Sequence, residues 1–264
     1  MKLGFIGTGN MASAIMGGII KNQIIPANDI IGADVMEAGR ERVKEQFKIQ
    51  VTADNHEVIN RSDIVILSVK PQFYAEIIAE IKNDVREDQI IITIAPGKTL
   101  AWLKEQFGKN VKIVRTMPNT PALVGAGMTA ACPNEYMTKE EIAYVFTLLE
   151  SFGRVEIIPE RLMDTVVSVS GSSPAYVFMF IEAMADAAVS GGMPRAQAYQ
   201  FAAQAVLGSA KMVLETGKHP GELKDMVCSP AGTTIEAVRV LEEKGFRSSV
   251  IEAMKTCEEI SKSM

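Results

Sequence analysis

Met1-Lys2-Leu3-Gly4-Phe5-Ile6-Gly7-Thr8-Gly9-Asn10-Met11-Ala12-Ser13 opens the chain and decides its reading: a short apolar strand runs into a glycine turn and then into a helix pattern ending near Lys21. In such an arrangement Gly7 permits the tight turn and Gly9 lets the backbone approach a phosphate. Ala12 stands where a third glycine would allow close helix-strand packing. Thr8 lies between the glycines, and the amides of Asn10 and Met11 open the helix toward an anion. The stretch is expected to seat the pyrophosphate of a dinucleotide; the competing reading is a plain structural turn. A secretory leader fits poorly, because glycines and the polar Thr8, Asn10 and Ser13 interrupt the apolar run.

The 264 residues, 47% of them hydrophobic, suffice for two domains with a sizeable core. A net charge of -5 offers no basic field, so no nucleic-acid partner is expected. A second uncharged stretch, 165–181, holds Gly171, Pro174 and several serines and is not expected to enter a membrane. Cys132, Cys228 and Cys257 are odd in number, far apart and without ligand spacing. They point to a cytoplasmic protein with neither disulfide nor metal. His56 and His219 are the only histidines, which leaves little material for a histidine-based triad or metal site.

From the glycine turn outward, β-branched runs alternate with helix patterns. Strands are expected at 2–7, 29–33, 64–69, 89–94, 111–116, 128–132 and 155–158, and helices at 10–21, 37–47, 73–82, 100–107 and 139–151. This alternation implies an α/β, Rossmann-like domain over 1–160 with a mostly parallel sheet, whose ligand lies at the carboxyl ends of the strands. Past residue 160 strand signals stop. Helices are expected at 174–190, 194–216, 220–227, 233–244 and 248–263, giving an all-helical domain over 161–264. Between 175 and 210 these helices are alanine-rich and apolar nearly all round. Such a surface is covered either by another subunit or by the rest of the chain around a central helix.

Asp34, ending the second strand, is placed to accept hydrogen bonds from an adenosine ribose and to repel a 2′-phosphate, which by itself favours NADH over NADPH. Arg40 and Arg42 follow, and their simplest reading is a solvated helix face. Lys70, between a buried strand and Pro71, fixes a cofactor or steers an anion, unless it is an ordinary strand-end lysine. Ser229-Pro230-Ala231-Gly232-Thr233-Thr234 is a turn running into a helix, with amides suited to a carboxylate; Thr233 is alternatively an N-cap. Ser170-Gly171-Ser172-Ser173-Pro174 repeats that pattern at another helix entrance. With no acid-base histidine at hand, the inventory suits reduction of a protonated imine, which needs no proton donor in the hydride step.

With these segments in view, the chain resembles the pyrroline-5-carboxylate reductases over nearly its whole length. The resemblance rests on the segment from Gly4 to Ala12, Val69-Lys70-Pro71-Gln72, Arg115-Thr116-Met117-Pro118-Asn119-Thr120-Pro121, Ser170-Gly171-Ser172-Ser173-Pro174-Ala175-Tyr176, His219-Pro220, Leu223-Lys224-Asp225 and Ser229 to Ile235. It implies reduction of 1-pyrroline-5-carboxylate to L-proline, the last step of proline biosynthesis, by NADPH or NADH. It also implies cofactor contacts at Gly7, Thr8, Gly9, Asn10, Met11, Ala12, Asp34, Asn55, Ser68, Val69, Lys70, Pro71, Ile94, Ala95 and Pro96. The substrate would be held by Ser229, Pro230, Ala231, Gly232, Thr233 and Thr234, with Thr234 hydrogen-bonded to its nitrogen. A homodimer with interlocked helical domains, or a ring of such dimers, is implied too, one subunit's nucleotide domain facing its partner's substrate loop. Ser173 and Ala231 depart from the family's usual glycines, and Pro96 from its usual alanine. Asp34 stands where a hydroxyl residue often receives the 2′-phosphate, and its charge opposes the family's usual NADPH preference. Ala231 would carry a Cβ penalty if its backbone required a positive φ. The rival enzymatic reading is a β-hydroxyacid dehydrogenase, which wants a lysine on the helix after the serine-glycine turn; 174–190 has none. A non-catalytic nucleotide-sensing dimer is the rival from another class.

Overall fold

The computed structural model describes residues 1–263, which pack as two compact units: Met1–Ser172 together with the chain from Cys257 on, and Ser173–Thr256. In the first unit the strands are β1 (Leu3–Ile6), β2 (Ile30–Ala33), β3 (Gln50–Thr52), β4 (Ile64–Leu67), β5 (Ile90–Thr93), β6 (Lys112–Met117), β7 (Gly127–Pro133) and β8 (Gly153–Ile157). They form one sheet in the order β3-β2-β1-β4-β5-β6-β7-β8. Neighbours are parallel except β6 and β7. Those two are joined through a short helical turn, Thr120–Val124, with no room for the crossover that a parallel pair requires.

Helices α1 (Asn10–Lys21), α2 (Glu37–Phe47), α3 (Asn55–Arg61), α4 (Tyr74–Ile81) and α5 (Leu100–Phe107) follow β1 to β5 in turn, and α6 (Lys139–Glu150) follows β7. Alternate strand residues serve opposite faces. Leu3, Phe5, Ile64, Ile66 and Ile92 join Ile15 and Ile19 of α1 and Leu148 of α6 in one core. Ile6, Val65, Leu67 and Ile91 join Val58 of α3, Ile78 of α4 and Leu103 of α5 in the other. Because both faces are covered, the strands read as unbroken apolar runs, and each buried Ile or Leu contributes about 1.5–3 kcal/mol. The strand order reverses beside β1, between β2 and β4, so the loops leaving β1 and β4 flank the crevice where such sheets take a ligand.

Two first-unit elements lie outside the sequence expectation: β3, three residues at the sheet edge, and α3. A third difference is a correction. The segment from Ser170 to Pro174, expected as a turn with free amides, continues a helix: α7 (Met163–Val166) widens into a π-helical turn, Val167–Gly171. Ser172 N–H is spent on the Val167 carbonyl at 2.8 Å and the Ser170 hydroxyl on that of Val166 at 3.3 Å. A Cβ at Gly171 would come within 2.9 Å of Met117 Cε, the mobile end of a flexible side chain.

The second unit is helical: α8 (Ser173–Ser190), α9 (Arg195–Thr216), α10 (Pro220–Val227) and α11 (Thr233–Glu243), then the start of α12 (Phe246–Lys262). The last turns of α12 belong to the first unit, where Ser261 Oγ donates to Asp164 Oδ1 at 2.8 Å. In α8 and α9 the buried residues are alanines, Ala185, Ala198 and Ala202. Large apolar side chains point outward instead: Phe178 is 60% exposed, Met179 68% and Phe201 68%. The other helices of the second unit leave them uncovered. The helical stretch Glu160–Ser190 is also long and apolar enough, by length and composition, to cross a membrane.

Candidate active site

The N-terminal glycine turn is held by backbone on both sides. Gly7 N–H donates to the Ala33 carbonyl at 2.8 Å, and Ser68 Oγ donates to the Gly7 carbonyl at 2.7 Å. Gly7 has φ +97°, and a Cβ there would lie 2.8 Å from the Ser68 carbonyl, so both conformation and space demand glycine. Gly9 N-caps α1 without any side-chain cap, and the first helical bond runs from Ser13 N–H to the Gly9 carbonyl. The amides of Asn10, Met11 and Ala12 therefore have no helical partner. No acidic residue occupies the first turn, and a Cβ at Gly9 would meet nothing within 4 Å. Open space in front of free amides at a positive dipole end is what an approaching phosphate requires, and the residues present fit a dinucleotide.

Asp34 is bound into this turn. Its Oδ2 accepts from Thr8 N–H at 2.8 Å and from Thr8 Oγ1 at 2.9 Å, and its Oδ1 accepts from Met36 N–H at 2.9 Å. A carboxylate has about four lone-pair sites, so one on Oδ1 is left. Arg42 is exposed, as expected of a solvated face, and Arg40 is half-buried, but both also bond to backbone carbonyls. Arg40 Nη1 donates to the carbonyls of Asp34 at 2.7 Å and Val35 at 3.2 Å, while Arg42 donates to the carbonyl of Thr8. Their guanidinium charges thus stand at the mouth of β1 and β2 beside the acid.

A cavity of about 210 Å³ is lined by Gly7, Ala33, Asp34, Val35, Asn55, Val69, Phe73, Glu76 and Ile77. Its apolar walls and few polar groups suit a flat aromatic base. Asn55 begins α3, with its Nδ2 on Glu80 Oε2 at 3.0 Å. Lys70 is exposed and forms no ion pair among the described residues, which leaves its charge available to an anion. Ile94, Ala95 and Pro96 leave β5 next to residues 68–71 leaving β4, since these strands are paired. The expected cofactor residues thus meet at one end of one sheet.

Sequence reading did not foresee three structural ties. Asn119 joins Ser170 O at 3.0 Å to Met128 N–H at 2.8 Å. The buried Arg115 pairs with Glu160 at 2.8 Å. Tyr74 lies beneath the loops that leave β4 and β5, bonded to Leu67 and Ile94, with no motif to mark it.

Residues 229–234 belong to the second unit. Gly232 N–H closes a four-residue turn on the Ser229 carbonyl at 3.0 Å, with Pro230 and Ala231 between. Ala231 has φ +55°, the left-handed conformation in which its Cβ is penalised. A Cβ at Gly232 would fall 2.3 Å from Ser229 Oγ. Gly232, not Thr233, is the N-cap of α11, and no side chain caps the helix. Thr233 is therefore the first helical residue, and the opening amides of α11 are free for a carboxylate. Thr234 is half-buried behind them.

Residues 160–264 match the family model for pyrroline-5-carboxylate reductase dimerisation, and residues 2–97 the model for NADP oxidoreductase, coenzyme F420-dependent. The chain is 55% identical to a pyrroline-5-carboxylate reductase of Escherichia coli, over 100% of this chain and 98% of that protein. A pyrroline-5-carboxylate reductase structure from Coxiella burnetii superposes with TM-score 0.91 at 34% identity, covering 99% of this chain and 97% of that one. One from Plasmodium falciparum, with NADP bound, gives TM-score 0.91 at 32% identity, covering 100% and 97%. Resemblance in motif, fold and whole-length sequence places the β-hydroxyacid dehydrogenase and nucleotide-sensor readings aside: the chain belongs to the pyrroline-5-carboxylate reductase family.

Proposed function

We propose that the glycine turn after β1 holds the dinucleotide and that residues 229–234 hold the substrate. The chain is an NAD(P)H-dependent oxidoreductase that reduces 1-pyrroline-5-carboxylate to L-proline, the last step of proline biosynthesis. The observation that carries the residue assignment is the pair of uncapped helix starts, α1 and α11, each behind a turn closed by its own backbone.

When bound, the nicotinamide supplies the hydride. The amides of Asn10, Met11 and Ala12, with Thr8 and the open side of Gly9, receive the pyrophosphate; Lys70 adds positive charge beside Ser68, Val69 and Pro71. Val35, Asn55 and Phe73 enclose the adenine. Asp34 orients Thr8 and keeps one lone pair for a ribose hydroxyl, and Ile94, Ala95 and Pro96 complete the wall. On the substrate side, amides at the start of α11 grip the carboxylate, Ser229, Pro230, Ala231 and Gly232 shape the turn, and Thr233 and Thr234 supply hydroxyls. The Thr234 hydroxyl hydrogen-bonds the ring nitrogen and so aligns the C=N bond. No titratable side chain occurs at 229–234, which suits an imine that enters already protonated. Along the sequence the domains run 1–160 and 161–264, the second matching the family model, although 161–172 and the end of α12 pack with the first compact unit; the exposed apolar faces of α8 and α9 are buried in a cytoplasmic homodimer, alone or in a ring of dimers.

Oxidation of NADPH or NADH on adding 1-pyrroline-5-carboxylate measures the activity. Thr234→Ala is expected to lower kcat about tenfold, the scale of one hydrogen bond strengthened in the transition state, with the dinucleotide KM unchanged. Unaltered kinetics would remove Thr234 from the site. Asp34→Ser is expected to shift the ratio of specificity constants toward NADPH; an unmoved ratio means Asp34 does not discriminate.

A further inference from the structure

Tyr74, the first residue of α4, is fully buried beneath the ends of β4 and β5. Its Oη donates to the carbonyl of Leu67, the last residue of β4, at 2.5 Å, and accepts the N–H of Ile94, the first residue past β5, at 3.3 Å. Burial pushes the phenol pKa up, so the hydroxyl stays a neutral donor. The strand register ends at the pair Leu67 and Thr93. Where direct pairing stops, the phenol therefore bridges the two chains that run on as residues 68–71 and 94–96.

We propose that Tyr74 is a positioning residue for the dinucleotide: its hydroxyl sets the separation of the two loops, 68–71 and 94–96, against which the cofactor lies. The inference rests on the assignment of those loops to the cofactor. Ser68 ties the first loop to β1 and the Gly7 turn, but the direct pairing between β4 and β5 has ended, and each loop leaves its strand within one residue of this oxygen. A phenylalanine fills the same volume but deletes the bridge, so the fold is kept while the loops lose their common anchor.

Tyr74→Phe is expected to raise KM for NADPH about fivefold, the scale of one lost neutral hydrogen bond, with kcat and KM for 1-pyrroline-5-carboxylate within twofold. Ile78→Val, a buried change one turn along α4, controls for packing: it is expected to lower Tm and leave the NADPH KM alone. Lys70→Ala tests the loop assignment and is expected to raise the NADPH KM. A normal KM in Tyr74→Phe beside a raised one in Lys70→Ala overturns the role of Tyr74 alone. Normal values in both overturn the loop assignment and the proposal with it. A raised KM in Tyr74→Phe that Ile78→Val reproduces at equal loss of Tm also overturns it, since packing would then suffice.

Discussion

Gly9 in front of α1 and Gly232 in front of α11 occupy equivalent places, each preceding a helix that no side chain caps, yet the space around them is opposite. A Cβ at Gly9 would meet nothing within 4 Å, whereas one at Gly232 would strike Ser229 Oγ at 2.3 Å. The first glycine keeps room for something that arrives; the second keeps room for the chain's own turn. Their supports differ as well. The first turn is tied to Ala33, Asp34 and Ser68 over a sheet buried on both faces. The second connects α10 and α11, neither of which has a buried residue. The site proposed for the nucleotide is thus built on a finished core. The turn proposed for the substrate lies between exposed helices, in a region that matches a family model for dimerisation.

Gly9→Val probes the open side and carries the largest expected effect. With φ -68° and ψ -171° the backbone accepts any residue, so the variant should fold with wild-type Tm while the isopropyl group occupies the phosphate approach. KM for either dinucleotide is expected to rise by about 100-fold, or about 2.8 kcal/mol. Normal KM values would mean that no ligand approaches there. Gly232→Ala tests the crowded side. Its methyl must displace the Ser229 hydroxyl, and KM for 1-pyrroline-5-carboxylate should rise about tenfold with the dinucleotide KM unchanged. Adding Ser229→Ala removes the obstructing oxygen, so the double variant should lose no more than Ser229→Ala alone; strictly additive losses would contradict the steric account.

The same contrast shows what can be read from residues alone. β1, β4 and β5 were legible because strands buried on both faces are written as apolar runs, and Gly7 and Gly9 because a tight turn leaves few alternatives to glycine. β3 was not, since Gln50, Val51 and Thr52 are too few to display alternation at a half-buried edge. α3 is only seven residues and follows that strand closely. The π-helical turn at Val167–Gly171 was hidden by serines and a glycine that equally describe a loop. In the nucleotide site, sequence placed Asp34 at the end of its strand but not its bonds to Thr8 and Met36. Tyr74 was invisible because its partners, Leu67 and Ile94, are brought together only by the pairing of two strands. In the substrate turn the Cβ penalty was anticipated for Ala231 if its φ were positive, and φ is +55°.

That strained alanine gives a smaller effect than either glycine substitution. The left-handed conformation costs an alanine about 1–2 kcal/mol, part of which is offset because glycine also loosens the unfolded chain. Ala231→Gly should therefore stabilise the protein by about 0.5–1 kcal/mol in denaturant unfolding. Its effect on KM for 1-pyrroline-5-carboxylate separates two uses of the strain. An unchanged KM means that the turn already has its working shape and only stability is sacrificed. A raised KM means that the Cβ restricts the turn to that shape, and the exposed half of the comparison then owes its order to Ala231 as well as to Gly232.

The smallest expected effect lies at the outer wall of the nucleotide half, where His56 joins α3 to α4. Its Nδ1 bonds to Asp84 and its Nε2 stands 3.8 Å from Glu80, while Asp54 caps α3 by accepting from His56 N–H. The hydrogen bond that His56 donates to the Asp84 carboxylate is the main cause raising the His56 pKa above 6.5; desolvation opposes it, and the charges of Asp84, Asp54 and Glu80 add to it. A histidine whose folded pKa is raised contributes stability that is fully present below its unfolded value and lost as pH rises through the folded one. All the partners are solvent-accessible, so the contribution is small and should weaken in salt. Wild-type Tm should therefore fall slightly more than that of His56→Gln on going from about pH 6 to about pH 9. Because Asn55, next in the chain, lines the cavity and bonds to Glu80, the NADPH KM should drift upward over the same interval in wild type only. Residues 229–234 hold no group that titrates in this range, so any such drift in KM for 1-pyrroline-5-carboxylate, or parallel Tm curves for the two proteins, would break the assignment of pH sensitivity to the nucleotide half.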